Sequence, residues 1–187
     1  MGLFTIGHGT RSVDELSGIL TGAGVTLLAD VRRFPGSRRN PQLSRASLSE
    51  ALPERGVRYE WWGESLGGRR SGRPLGGPPG GPPSRHPAWR EPAFRAYADH
   101  MDSAEFRQAL GRLLEVSSAE ETAVMCSETL WWRCHRRLIA DAAVLRGRPV
   151  VHLLSAGHAE PHPANPAMRR DEEGWPVYDV GVDRPLL

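Results

Sequence analysis

The chain has 187 residues, 39% of them hydrophobic, which fits one folded domain with a real core and argues against wholesale disorder. All 24 basic residues are arginine, which excludes a lysine Schiff base, lysine-bound pyridoxal phosphate and a lysine-bearing P-loop. The formal net charge of +2 is too small to argue nucleic acid by itself, and two cysteines are too few for a disulfide scaffold.

In chain order, Leu3–Gly7 reads as a short apolar strand. Ser12 and Glu15 have capping-box spacing at the start of a helix that buries Val13, Leu16, Ile19 and Leu20 and stops at Gly22 or Gly24. Residues 25–31 form an apolar run without polar alternation, the mark of a strand covered on both faces. With the helix before it, this run predicts a right-handed β-α-β unit. Residues 34–41 read as a loop, and Ser44 or Ser47 caps a helix reaching about Leu52. Residues 57–61 predict a third strand.

The stretch 67–87 is crowded with Gly, Pro and Arg, and is predicted to be a flexible loop with little to bury. Helices are predicted over 92–100 and 104–116, a strand over Thr122–Cys126, one helix over 131–145 and a strand over 150–154. The Pro- and His-rich residues 155–187 are expected to form a surface tail. The alternation of strand and helix predicts a single three-layer α/β/α domain, 1–187, with a mainly parallel sheet. There is no apolar run of transmembrane length and no signal-peptide pattern. A cytoplasmic location, reduced thiols and no membrane partner are therefore expected.

Ligands of open parallel sheets bind beyond the carboxyl ends of the strands. That rule singles out His8 and Thr10 after the first strand, and Asp30, Arg32 and Arg33 at the end of the second. It adds Cys126 and Glu128 after the strand at Cys126, then Trp131, His135 and Arg136 in the next helix. Arg38 joins them from the loop. Each has a plainer reading: a strand-ending histidine, a buried carboxylate–arginine pair, a solvated arginine, an inert core thiol, a core tryptophan. Their shared edge of the sheet tips Asp30 toward function and leaves His8 open, while the core reading stays ahead for Cys126 and Trp131.

These segments resemble the motifs of a known family. They run Ile6-Gly7-His8-Gly9-Thr10-Arg11, Asp30-Val31-Arg32-Arg33-Phe34-Pro35, Ser37-Arg38, Leu66-Gly67-Gly68, Met125-Cys126-Ser127-Glu128 and Cys134-His135-Arg136. In this order they are similar to the domain of unknown function 488 family, over roughly residues 4 to 154. That family has serine where Gly9 stands and alanine where Ser127 stands. The resemblance implies that these sheet-edge residues form the family's signature. It implies no established reaction.

Four kinds of chemistry suit the constellation. The first is an enzyme acting on a phosphate-bearing substrate, a nucleotide or nucleic acid, by hydrolytic or glycosidic-bond cleavage. Arg32, Arg33, Arg38 and Arg136 would hold the phosphate, and Asp30 and Glu128 would act as acid and base. The second is thiol chemistry, with Cys126 or Cys134 as nucleophile and His8 or His135 as base. On a continuous helix, Cys134 and His135 would point about 100° apart. The third is a metal ion at His8, Cys126, Cys134 and His135, without the paired spacing of a zinc knuckle. The fourth is a non-catalytic nucleic-acid module gripping a backbone with Arg69, Arg70, Arg73, Arg85 and nearby tryptophans. Gly7-His8-Gly9 lacks the third glycine of a dinucleotide fingerprint, so no nicotinamide or flavin cofactor is expected.

Overall fold

The computed structural model describes residues 1–36, 39–70 and 82–182. Five parallel strands are β1 (Leu3–Gly7), β2 (Leu27–Asp30), β3 (Arg58–Trp61), β4 (Thr122–Cys126) and β5 (Val150–Ser155). A sixth, β6 (His158–Pro161), folds back antiparallel on β5, giving the order β3-β2-β4-β1-β5-β6. The expected β-α-β unit exists, but its crossover skips one position: β4 lies between β1 and β2 and pairs with both.

Side-chain alternation sorts the core into two layers. Ile6, Leu28, Ala123 and Met125 face α1 (Val13–Gly22) and α2 (Arg45–Ala51). Leu3, Ala29, Val124 and Cys126 face α4 (Pro92–Met101), α5 (Ala104–Ala119) and α6 (Arg136–Leu145). The result is the expected three-layer α/β/α domain. A four-residue helix α3 (Gly63–Leu66) and a small antiparallel hairpin, β7 (Met168–Arg170) with β8 (Pro176–Tyr178), complete it. The helix after β1 packs on one face and the helix after β4 on the other, so the chain diverges between these neighbouring strands. That is the switch point at which such sheets open a crevice.

Two expectations need correction. The helix expected over 131–145 is broken: a 3₁₀ turn, Trp131–Arg133, is followed by an extended Cys134 (φ −128°, ψ 149°), and α6 starts only at Arg136. Residues 155–182 are not a surface tail, because Val177 and Tyr178 are buried in the core and β6 extends the sheet. Local periodicity missed this because β6, β7 and β8 have only three or four residues each. In the loop expected over 67–87, Gly67, Gly68 and His86 are buried, and residues 71–81 lie outside the described residues. No helix among the described residues is long and apolar enough to cross a membrane.

Candidate functional site

Cys126 ends β4 with its side chain toward the α4–α6 layer. The turn that follows lies directly over the end of β1. A Cβ on Gly7 would sit 2.0 Å from the Glu128 carbonyl oxygen, so only glycine lets the two backbones meet. Past the 3₁₀ turn, the extended Cys134 changes the direction of its side chain relative to that of His135. The 100° divergence of adjacent helical residues therefore does not apply, and both side chains reach Cys126. His135 Nδ1 lies 3.9 Å from Cys126 Sγ and 3.7 Å from Cys134 Sγ, and all three ligand-type atoms fall within 4.8 Å of one another.

Both cysteines are free thiols. The two sulfurs share one hydrogen bond, which with burial pushes Cys126 up to about 12. Burial also opposes a Cys134 thiolate, but the bond from Cys126 and the Arg136 guanidinium outweigh it and bring Cys134 down to about 6. Arg136 Nε donates to Cys134 Sγ at 3.4 Å. Gly68 closes over the imidazole, where a Cβ would lie 2.8 Å from Nδ1, and Tyr97 packs on the ring at a centroid distance of 4.9 Å. His135 Nε2 is buried without a hydrogen-bond partner.

This cluster lies in a cleft of about 780 Å³ whose lining also includes His8, Arg32, Arg33, Phe34, Asn40, Arg69, Glu91, Ser127, Glu128, Trp132 and Arg133. Glu128 is exposed and its Oε1 accepts from the Leu130 N–H at 3.3 Å. Arg33, Arg69 and Arg133 are exposed, and none forms an ion pair among the described residues. Arg69 holds φ 56°, the left-handed region that side chains with a Cβ avoid.

Six of the expected site residues thus meet at one cleft: His8, Arg32, Arg33, Cys126, Glu128 and His135. Asp30 does not. It shares its sheet face with its register partner Met125, whereas Cys126, one residue further, faces the other way. Asp30 is fully buried, accepts from the Arg32 backbone N–H, Nε and Nη2, and receives the Tyr59 hydroxyl at 2.6 Å. Arg32 in turn donates from Nη1 to the Leu43 carbonyl at 2.8 Å and to His8 Nε2 at 2.9 Å. Arginine can only donate, so His8 Nε2 accepts and its Nδ1–H goes to the Gly9 carbonyl. Burial and then the Arg32 charge lower His8 to about 4, which keeps it neutral. Asp30, Arg32 and His8 therefore form a satisfied framework under the cleft, with no free nitrogen on Arg32 for an anion.

Arg136 is likewise committed. It is 1% exposed and donates to Cys134 Sγ, to Thr5 Oγ1 and to the Glu128 and Thr129 carbonyls. Every guanidinium nitrogen of Arg32 and Arg136 is already engaged within the protein, so neither presents the open two-pronged fork that the expected anion-binding role requires. Trp131 is a core residue, stacked on His152 at 4.2 Å and donating to Glu160, while its exposed neighbour Trp132 lines the cleft. Thr10 is exposed outside the cleft. Arg38 lies outside the described residues. Sequence reasoning did not single out Arg133 or Tyr97, because the first stands among tryptophans and arginines without a motif of its own and the second reads as a core position.

No curated protein and no solved structure gives a significant match to the chain. The family model described as Domain of unknown function DUF488 matches residues 12–143, which include every element that builds the floor of the cleft except β1. The chain belongs to the DUF488 family.

Proposed function

We propose that the protein is an enzyme that hydrolyses a bond in a phosphate-bearing substrate, a nucleotide or nucleic acid. Arg33, Arg69 and Arg133 hold the phosphate at the rim of the cleft. The Cys126–Cys134–His135 centre delivers the chemistry beneath it, and Glu128 carries the proton as acid or base. The observation that supports this reading is one juxtaposition: three reactive side chains converge at the floor of a cleft whose rim carries three arginines without ion-pair partners among the described residues. An unpaired guanidinium presents the fork that matches phosphate oxygens, and a nearby carboxylate hinders simple anion binding but is useful for proton transfer. For that reason catalysis is favoured over a passive nucleic-acid module.

The test is a set of titrations with nucleotides and short oligonucleotides. Each charge-assisted contact contributes roughly 1.5–3 kcal/mol. Arg33→Ala, Arg69→Ala and Arg133→Ala should each weaken binding about ten- to a hundredfold. Glu128→Gln should leave binding intact and lower turnover, since its carboxylate acts mainly on the transition state. Binding that survives loss of all three arginines overturns the reading.

A further inference from the structure

We propose that Cys126, Cys134 and His135 form a mononuclear zinc site with its fourth coordination position open to the cleft. The site deepens the reading above by naming the agent of hydrolysis, yet it stands on its own geometry. A tetrahedral zinc with Zn–S about 2.3 Å and Zn–N about 2.0–2.1 Å puts sulfur and nitrogen roughly 3.6 Å apart. The observed 3.7 and 3.9 Å require shifts of a few tenths of an ångström.

The donor set is two thiols and one imidazole, the soft and borderline ligands that select zinc over magnesium or calcium. Three protein ligands with one vacant position are the catalytic pattern, whereas structural zinc takes four. Nδ1, with both sulfurs within 4 Å, is the nitrogen placed to bind. Arg136 Nε–H donates to Cys134 Sγ, and its positive charge favours the thiolate that a metal ligand must be. Binding exchanges the remaining thiol protons for the metal, so two thiolates balance the dication. The extended backbone at Cys134 and the absent side chain at Gly68 are the local features that make room for this arrangement. Bound zinc lowers the pKa of a coordinated water toward neutrality, which supplies a hydrolytic nucleophile without a lysine or a free serine.

The experiment starts from full-length protein stripped with chelator and kept reduced with a phosphine. Cobalt(II) is titrated in, followed by zinc. One equivalent of cobalt should give the intense visible bands of a tetrahedral site and a near-ultraviolet thiolate charge-transfer band, and one equivalent of zinc should abolish both. Cys126→Ser, Cys134→Ser and His135→Ala should each weaken cobalt binding at least about a hundredfold, beyond the ten- to hundredfold typical of lost supporting contacts. Gly68→Ala keeps all three ligands and should weaken it by about tenfold or more. If a cysteine variant fails to fold, alkylation of the wild-type thiols decides: one equivalent of zinc should protect both. Absence of the charge-transfer band, or equal alkylation with and without zinc, overturns the site. No anion is present in these measurements. A cobalt spectrum without phosphate binding would sink the substrate reading alone, and phosphate binding without the spectrum would sink the metal alone.

Discussion

At the scale of single residues, burial divides the polar groups into those that support the cleft and those that face it. Asp30 and Arg32 are 0% and 6% exposed and exchange several hydrogen bonds, so neither could be buried without the other. Removing one partner of such a pair leaves an uncompensated charge and costs about 3–5 kcal/mol, far more than one neutral hydrogen bond at about 1 kcal/mol. Asp30→Ala should therefore lower unfolding free energy by about 3–5 kcal/mol in urea titrations, against about 1.5–3 kcal/mol for Tyr59→Phe, which removes one hydrogen bond to that carboxylate. Equal small losses in both would show that the pair is not a structural keystone. Of the two readings open to Asp30 from sequence, the buried partner of an arginine is the better one, and only its sheet face, set by pairing with Met125, decides it.

At the scale of elements, local signals succeeded where the chemistry is local. The capping box before α1 is present in full: Ser12 Oγ accepts from the Glu15 N–H, and Glu15 Oε2 accepts from the Ser12 N–H. Ser12→Ala should cost about 1 kcal/mol, read as a lower denaturation midpoint with an unchanged slope. An unchanged midpoint would mean that tertiary packing alone holds α1. The strand Thr122–Cys126 was legible to the residue, since an apolar run bounded by polar residues has few alternatives. The helix over 131–145 was not, because nothing in Trp131-Trp132-Arg133-Cys134 forbids helix. The break follows from long-range demands: Trp131 stacks on His152, and Arg136 reaches Thr5 and the Glu128 carbonyl.

At the scale of the whole molecule, one buried polar chain ties the C-terminal residues to the site. Asp141 accepts from Asn165, Tyr178 and His162 Nε2–H. His162 Nδ1 in turn shares a hydrogen bond with His152 Nε2 at 2.9 Å, and His152 Nδ1 shares one with the Thr5 hydroxyl at 2.7 Å. Thr5 receives Arg136, so the buried guanidinium is linked through two imidazole rings to a carboxylate. Trp131 and Glu160 flank the pair. Burial, then His162 and Arg136, lower His152 to about 3. The unfolded chain, with an ordinary histidine near pH 6.5, binds the proton first. Stability is therefore fully present above about pH 6.5 and falls as pH drops toward about 3, by up to about 1.4 kcal/mol per pH unit from this group. The melting temperature should decline from about pH 6.5 to about pH 4, and His152→Gln should flatten that decline. A variant with the same slope as wild type would assign the acid sensitivity elsewhere.

By itself the sequence determined the class of fold, the family signature, the exclusion of lysine chemistry and the strand ends at which polar groups gather, because periodicity, caps and composition act over a few residues. Only the tertiary structure decided which face each strand end presents, and hence that Asp30 is framework while Cys126 is floor. It also decided that Arg32 and Arg136 are consumed internally, and that an extended residue brings Cys134 and His135 to one point. Those outcomes depend on strand register, on crossovers to opposite faces and on hydrogen bonds between residues more than a hundred positions apart, and none of these is encoded in a local pattern.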